Sequence, residues 1–142
     1  MDKNDIVIVS AKRTPMGGFQ GDFAGTTASQ IGSAAIKAAL ETSGLKAEDL
    51  DDIIMGCVLP ARQGQAPARQ AALGAGLPQS TGATTINKMC GSGLKAVMMA
   101  HDEILAGSHT IMIAGGMESM SGAPYLLPKA RGGFRMGHGE VK

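Results

Sequence analysis

The hydrophobic positions of this chain fall into short continuous runs that alternate with stretches of helical spacing. Continuous apolar runs rich in β-branched residues are typical of strands that are buried on both faces of a parallel sheet. Four strands are predicted in this way, at residues 6–9, 53–58, 84–87 and 110–114. The third is more polar than the others, which favours a position at the edge of the sheet or in an interface.

Three stretches between these runs have the spacing of amphipathic helices. The first begins after Thr27, a residue type that caps helix N-termini, and ends at Gly44. Its apolar face is predicted at Ile31, Ala34, Ala35, Ala38 and Ala39. A second, short helix is predicted at residues 68–75 and a third at about 91–106. The order of these elements predicts an α/β fold, a layered and mostly parallel sheet with helices on both faces.

The composition of the chain argues against several classes of function. A hydrophobic fraction of 44%, a charged fraction of 18% and a net charge of +1 suit a soluble globular domain. With 3% aromatic residues and no basic excess, we expect no nucleic-acid partner. No apolar run approaches the length of a membrane span, and the first residues resemble neither a secretion nor an import signal. We therefore expect no membrane partner and a cytoplasmic location.

The motif INKMCGSGLKAVM, residues 86–98, places Cys90 between a predicted strand and a predicted helix. A helix N-terminus stabilises a thiolate, and the thiolate is the reactive form of cysteine. Gly91 and Gly93 would allow a sharp bend and the approach of a bulky substrate, and the backbone N–H of Cys90 could stabilise an oxyanion. Functional sites in parallel sheets lie at the carboxyl ends of the strands, where Cys90 and a predicted turn at Gly115 and Gly116 both fall. Cys90 is therefore the candidate catalytic nucleophile.

Two other interpretations of this motif stay open. Cys90 could be a small buried residue without a catalytic role, as many lone cysteines are. Residues 91–96 also fit Gly-x-Gly-x-x-Ala, a variant of the dinucleotide-binding fingerprint. The polar residues Asn87 and Lys88 before this pattern, and the lack of an acidic residue about twenty positions later, argue against dinucleotide binding.

Four stretches resemble, in order, the N-terminal part of the thiolases, the acetyl-CoA acetyltransferase family. They are IVSAKRTP at residues 8–15, GQAPARQAA at 64–72, INKMCGSGLK at 86–95 and GGMESMS at 115–121. The resemblance implies a thiolase-like fold of which this chain is the incomplete first half. Residues 1–121 would form part of the N-terminal α/β domain, and residues 122–142 would begin the loop domain that thiolases insert there.

The resemblance also implies a reaction. Cys90 would accept an acyl group from an acyl-CoA as a thioester, and acetyl-CoA would attack it to form a 3-oxoacyl-CoA, or the reverse thiolysis would occur. Coenzyme A thioesters would be substrates, with no permanently bound cofactor and no metal. The full-length form would be a homodimer or homotetramer. A condensing enzyme of fatty-acid or polyketide synthesis, and a non-catalytic fragment that dimerises through strand 84–87, remain alternatives.

Several family features are missing from the sequence. In thiolases, a Gly-His-Pro histidine, a second cysteine and an Asn-Glu-Ala-Phe asparagine complete the site, and none of these segments occurs here. We therefore expect an inactive fragment, and no coenzyme A-binding residue can be assigned.

The remaining reactive side chains are interpreted as structural. Cys57 is predicted to be a packed core thiol, His101 a hydrogen-bonded core residue and Glu118 a wall near Cys90 rather than an acid or base. Surface or interface roles are favoured for Arg69 and Lys88, although contacts with coenzyme A phosphates are conceivable. His109 and His138 are given no role, and the acidic cluster at residues 48–52 is interpreted as a solvated turn rather than a metal site.

Overall fold

The computed structural model describes residues 5–142, which contain a three-stranded parallel sheet and three α-helices. The helices are α1 at Ala28–Ser43, α2 at Pro67–Gly74 and α3 at Ser92–Leu105, and the strands are β1 at Asp52–Gly56, β2 at Gly82–Ile86 and β3 at Met112–Gly116. The strand order is β2-β1-β3, and Asp52 is in register with both Gly82 and Met112. The predicted α/β fold with a parallel sheet is confirmed, and the polar strand β2 lies at an edge.

Helices cover both faces of the sheet, as predicted. Ile53 and Met55 of β1 belong to a buried cluster that includes Ile36 of α1 and Ala71 of α2. Ile54 points to the opposite face because side chains alternate along a strand. Gly56 points the same way as Ile54, and a Cβ atom there would meet the backbone of α3. Helix α3 therefore packs on the face opposite α1 and α2.

Helix α1 begins and ends where the sequence predicts, but the face that it buries differs from the predicted one. Thr27 and Gln30 form a capping box, and Gly44 ends the helix with a left-handed φ of 75°. The buried residues are Ala28, Ser29, Gly32 and Ile36, not the predicted alanine face. The reason lies at Gly32, where a Cβ atom would be only 3.3 Å from the Cβ of Ala71 in α2. The two helices approach each other through small residues, and this contact sets which face of α1 is buried.

The predicted strand at residues 6–9 is absent from the described sheet. Val7, Ile8 and Val9 are 49%, 81% and 62% exposed, so the expectation of a strand buried on both faces is wrong. Residues 6–12 lie instead across a cavity of about 490 Å³ from β3, with α1 and α3 on its sides. An apolar β-branched run forms a strand only where a neighbouring backbone supplies ladder hydrogen bonds, and here the cavity separates the run from β3.

The segment after Gly122 has little regular structure. It contains a 3₁₀ turn at Ala130–Gly132, and Leu126 and Lys142 exchange two backbone hydrogen bonds. The domain boundary at residues 121 and 122 stays a prediction. No helix within residues 5–142 is long and apolar enough to cross a membrane.

Candidate functional site

The loops that follow the three strands meet at the carboxyl edge of the sheet, and Cys90 lies in the loop after β2. Cys90 is exposed and borders an open cavity of about 260 Å³. The other residues around this cavity are Gly56, Val58, Met89, Ser92, Gly93, Gly116, Met117 and Glu118. The structure therefore places the predicted nucleophile at an opening rather than in the core.

The sharp bend before α3 is at Met89, not at Gly91 as the sequence suggested. Met89 has a φ of 49°, in the left-handed region, whereas Gly91 has an ordinary φ of −91°. Ser92 holds the bend from the helix side, because its hydroxyl accepts a hydrogen bond from the Lys88 N–H at 2.8 Å and donates one to the Met89 carbonyl at 2.6 Å. The elbow that presents Cys90 is therefore fixed by side-chain hydrogen bonds.

Glycines at the ends of β1 and β3 let the first turn of α3 lie directly against the sheet. A Cβ atom at Gly56 would be 2.6 Å from the Cβ of Ser92 and 2.8 Å from the backbone nitrogen of Gly93. A Cβ atom at Gly116 would be 3.3 Å from the Cα of Gly93. Gly115 and Gly116 are the last residues of β3, so the turn predicted there is wrong. Gly93 therefore packs against the sheet, although it also borders the cavity.

Glu118 links the loop after β3 to the loop after β1. Its carboxylate accepts hydrogen bonds from the backbone N–H groups of Val58 at 2.8 Å and Leu59 at 2.9 Å. The Cys57 thiol donates to the same carboxylate at 3.7 Å. These contacts agree with the structural role predicted for Glu118.

Cys57 is only 1% exposed, as expected of a core thiol. Burial, with a smaller contribution from the Glu118 carboxylate, raises the pKa of Cys57 to about 11. The thiol is therefore protonated at neutral pH and is a poor nucleophile.

Asn87 lies in the loop after β2, shortly before Cys90, and the sequence alone assigned no role to its side chain. Its side-chain carbonyl accepts a hydrogen bond from the Met89 N–H at 2.9 Å, and its amide donates to the Val58 carbonyl at 3.1 Å. Asn87 thus joins the elbow to the loop that Glu118 holds. An asparagine two residues before a left-handed position was the available signal, because its short side chain bonds to nearby backbone groups.

The histidines do not join this site. His101, predicted to be a core residue, is exposed and contacts Asp102 at 3.3 Å, so that prediction is wrong. Helix α3 buries the small residues Ala96 and Ala100, and this packing turns the neighbouring His101 towards solvent. His109 lies 3.6 Å from Glu103, at the other end of α3.

Arg69 and Asp51 each make hydrogen bonds to backbone groups that support the fold. The Arg69 guanidinium donates to the backbone carbonyls of Gln79 and Thr81, which fixes the turn before β2. Asp51 accepts hydrogen bonds from the N–H groups of Thr110 and Ile111, and these bonds lower the pKa of its carboxyl group. Within residues 5–142 no cluster of three or more potential metal ligands is found.

Comparisons with known proteins assign this chain to a family. The family described as "Thiolase, N-terminal domain" matches residues 6–142. A relative named acetyl-CoA acetyltransferase from Cupriavidus necator is 56% identical over 137 residues, which are 96% of this chain and 35% of the relative. A relative of the same name from Schizosaccharomyces pombe is 51% identical over 99% of this chain, which corresponds to 36% of the relative.

A third relative, named acetyl-CoA acetyltransferase, mitochondrial, from Danio rerio, is 50% identical over 94% of this chain and 32% of its own length. The chain thus spans about a third of the length of the curated relatives it matches. The match over residues 6–142 and these identities show that the chain belongs to the thiolase family. The matched part is the N-terminal domain of that family.

Proposed function

We propose that this chain carries the nucleophile of a thiolase-type acyltransferase and that Cys90 forms the acyl thioester. The observation that carries the proposal is the position of Cys90, which is exposed at the edge of a cavity of about 260 Å³. That cavity lies at the carboxyl edge of a parallel sheet, where α/β proteins commonly bind their ligands. The names of the relatives support coenzyme A thioesters as the substrates.

The first chemical step follows from the properties of a thiol. The Cys90 thiolate attacks the carbonyl carbon of an acyl-CoA, a bond from carbon to the Cys90 Sγ forms, and the bond from carbon to the coenzyme A sulfur breaks. Coenzyme A leaves as a thiolate and takes up the proton that Cys90 released. The backbone N–H of Cys90 is the proposed donor to the oxyanion that forms in between.

The second half of the reaction is carbon–carbon bond formation. A second acetyl-CoA loses a proton next to its carbonyl, and the resulting carbanion attacks the thioester on Cys90. A 3-oxoacyl-CoA leaves and the Cys90 thiolate is regenerated; thiolysis is the same sequence in reverse. By resemblance to the family, the groups that move these protons belong to a further part of the polypeptide.

Other parts of the proposal follow from the same resemblance. The full-length form would be a homodimer or homotetramer, would bind no permanent cofactor and would be cytoplasmic. Residues 122–142 would be the start of the inserted loop domain.

The test is acetylation of the thiol. Purified chain is incubated with acetyl-CoA, and peptide mapping by mass spectrometry locates the acetyl group. We expect modification of Cys90 and none of Cys57, which serves as the matched thiol within the same molecule. Cys90→Ala should abolish the modification, and acetylation of both cysteines at similar rates, or of neither, would contradict the proposal.

A further inference from the structure

Met89, the residue immediately before Cys90, has a backbone conformation that its side chain disfavours. Its φ of 49° lies in the left-handed region, which residues other than glycine, asparagine and aspartate seldom adopt. Such a conformation persists only where surrounding contacts hold it in place. Because Met89 and Cys90 are consecutive, relaxation of the Met89 dihedral angles would redirect the Cys90 side chain.

Asn87 supplies one of the contacts that hold Met89, and it does so with both ends of its amide. The side-chain oxygen accepts from the Met89 N–H at 2.9 Å, while the side-chain nitrogen donates to the Val58 carbonyl at 3.1 Å. An aspartate could make only the first bond at neutral pH, because an ionised carboxylate has no proton to donate. Both the N–H donor and the carbonyl acceptor of the Asn87 side chain are therefore needed for these two bonds.

Glu118 holds the other side of the same peptide segment. Its carboxylate accepts from the Val58 N–H at 2.8 Å and the Leu59 N–H at 2.9 Å, so Val58 is bonded through its N–H to Glu118 and through its carbonyl to Asn87. Hydrogen bonds to a charged acceptor are stronger than those between neutral groups. The loops after all three strands are thereby joined in one series of hydrogen bonds that ends next to Cys90.

We propose that Asn87 and Glu118 are positioning residues for Cys90, which act by keeping Met89 in its left-handed conformation. The functional part of this inference rests on the role proposed above for Cys90. Neither residue is required to touch the reacting atoms in this role. Glu118 acts through Val58 and Asn87, and Asn87 acts through Met89.

The first test measures the linkage itself and does not depend on catalysis. Amide hydrogen exchange is followed by NMR in the 142-residue chain and in Glu118→Gln, where one acceptor oxygen is replaced by a donor. We expect exchange to rise about tenfold or more at Val58 or Leu59 and also at Met89. Thr84→Val, at an exposed position of β2, is the control and should leave Met89 unchanged. Faster exchange at Val58 and Leu59 with unchanged exchange at Met89 would overturn the proposed linkage.

The second test separates positioning from general destabilisation. Acetylation of Cys90 by acetyl-CoA requires an oriented sulfur, whereas iodoacetamide is small and reacts with an exposed sulfur in many orientations. In Glu118→Gln and Asn87→Ala we expect acetylation to slow roughly ten- to hundredfold and alkylation to change by less than about threefold. Equal changes in both rates, or no change in acetylation, would overturn the positioning role.

A second variant and a measurement that is independent of catalysis ensure that these experiments either support or overturn the proposal. Asn87 is exposed, so Asn87→Ala serves as the variant if Glu118→Gln does not fold, and it should itself raise Met89 exchange by removing the acceptor. If the unmodified chain is not acetylated at all, the function proposed for Cys90 fails. The exchange of the Met89 amide then decides the linkage by itself.

Discussion

Cys57 and Cys90 are two free thiols in opposite environments, one buried and one exposed. The pKa of Cys57 is about 11 in the folded chain, mainly because burial penalises the thiolate, against an ordinary value of 9.0. Between pH 9.0 and about pH 11, Cys57 loses its proton in the unfolded chain and keeps it in the folded chain. Ionisation of Cys57 therefore favours the unfolded state as the pH rises.

This difference predicts a loss of stability at alkaline pH. The contribution of the protonated Cys57 is fully present below pH 9 and is lost as the pH rises through 11. By pH 11 the free energy of unfolding should have fallen by roughly 2 kcal/mol on this account. Urea denaturation at a series of pH values measures it, with Cys57→Ala as the variant that lacks this term. An equal alkaline loss in Cys57→Ala would show that other groups cause it.

Alkylation provides a second measurement of the same property. At pH 8 only about one thousandth of a thiol with a pKa near 11 is ionised, and Cys57 is also buried. We expect iodoacetamide to modify Cys90 at least about a hundredfold faster than Cys57, and unfolding in urea to remove most of the difference. Similar rates in the folded chain would contradict the described environment of Cys57.

At the scale of elements, the approach of α3 to the sheet depends on Gly56. A methyl group there would lie within 2.8 Å of backbone atoms of Ser92 and Gly93, and backbone cannot move aside as a flexible side chain can. We expect Gly56→Ala to lower the free energy of unfolding by about 1–3 kcal/mol. It should also slow acetylation of Cys90, because the start of α3 and the Ser92 contacts with the elbow would shift together.

Gly25→Ala is the matched control for this change. A Cβ atom at Gly25 would have no neighbour within 4 Å, so the same chemical change should alter the free energy of unfolding by less than about 0.5 kcal/mol. Denaturation curves and acetylation rates of the two variants are compared directly. If Gly56→Ala is as stable as Gly25→Ala, the close packing of α3 on β1 is not a constraint.

Local sequence signals predicted the elements that local interactions determine. Thr27 and Gly44 marked the ends of α1, because capping and left-handed glycine act within one turn. Ile8 did not form a strand, because strand formation requires a partner backbone that the sequence pattern cannot reveal.

The features that the sequence did not predict depend on contacts between elements. His101 is exposed because α3 packs through its alanines. The helical spacing of apolar residues does not by itself indicate that these small residues are buried in preference to larger ones. The two-sided bonding of Asn87 joins loops 29 residues apart in sequence, at a carbonyl that no motif identifies. The position of Cys90 was predictable because a strand end, a cysteine and a helix start are consecutive in the chain.

At the scale of the whole molecule, the 142 residues correspond to about a third of the matched relatives. Several large apolar side chains of α3 and its elbow are exposed, namely Met89, Leu94, Val97, Met98 and Leu105. Among the described residues around the Cys90 cavity, Glu118 is the only one with a carboxylate. This carboxylate already accepts hydrogen bonds from Val58, Leu59 and Cys57. It is therefore poorly suited to remove a proton from a second acetyl-CoA.

We accordingly predict that acyl transfer in the 142-residue chain stops after the first step. With excess acetyl-CoA, Cys90 should acquire one acetyl group and release one equivalent of coenzyme A, because the thioester needs a carbanion to proceed and Glu118 is engaged. Chromatography of the coenzyme A products measures both, and Cys90→Ser is the control that removes the thiol while it keeps the elbow. Continuous formation of a 3-oxoacyl-CoA that Cys90→Ser abolishes would mean that residues 1–142 themselves move the second proton, and Glu118 would then be the first residue to reconsider as a base.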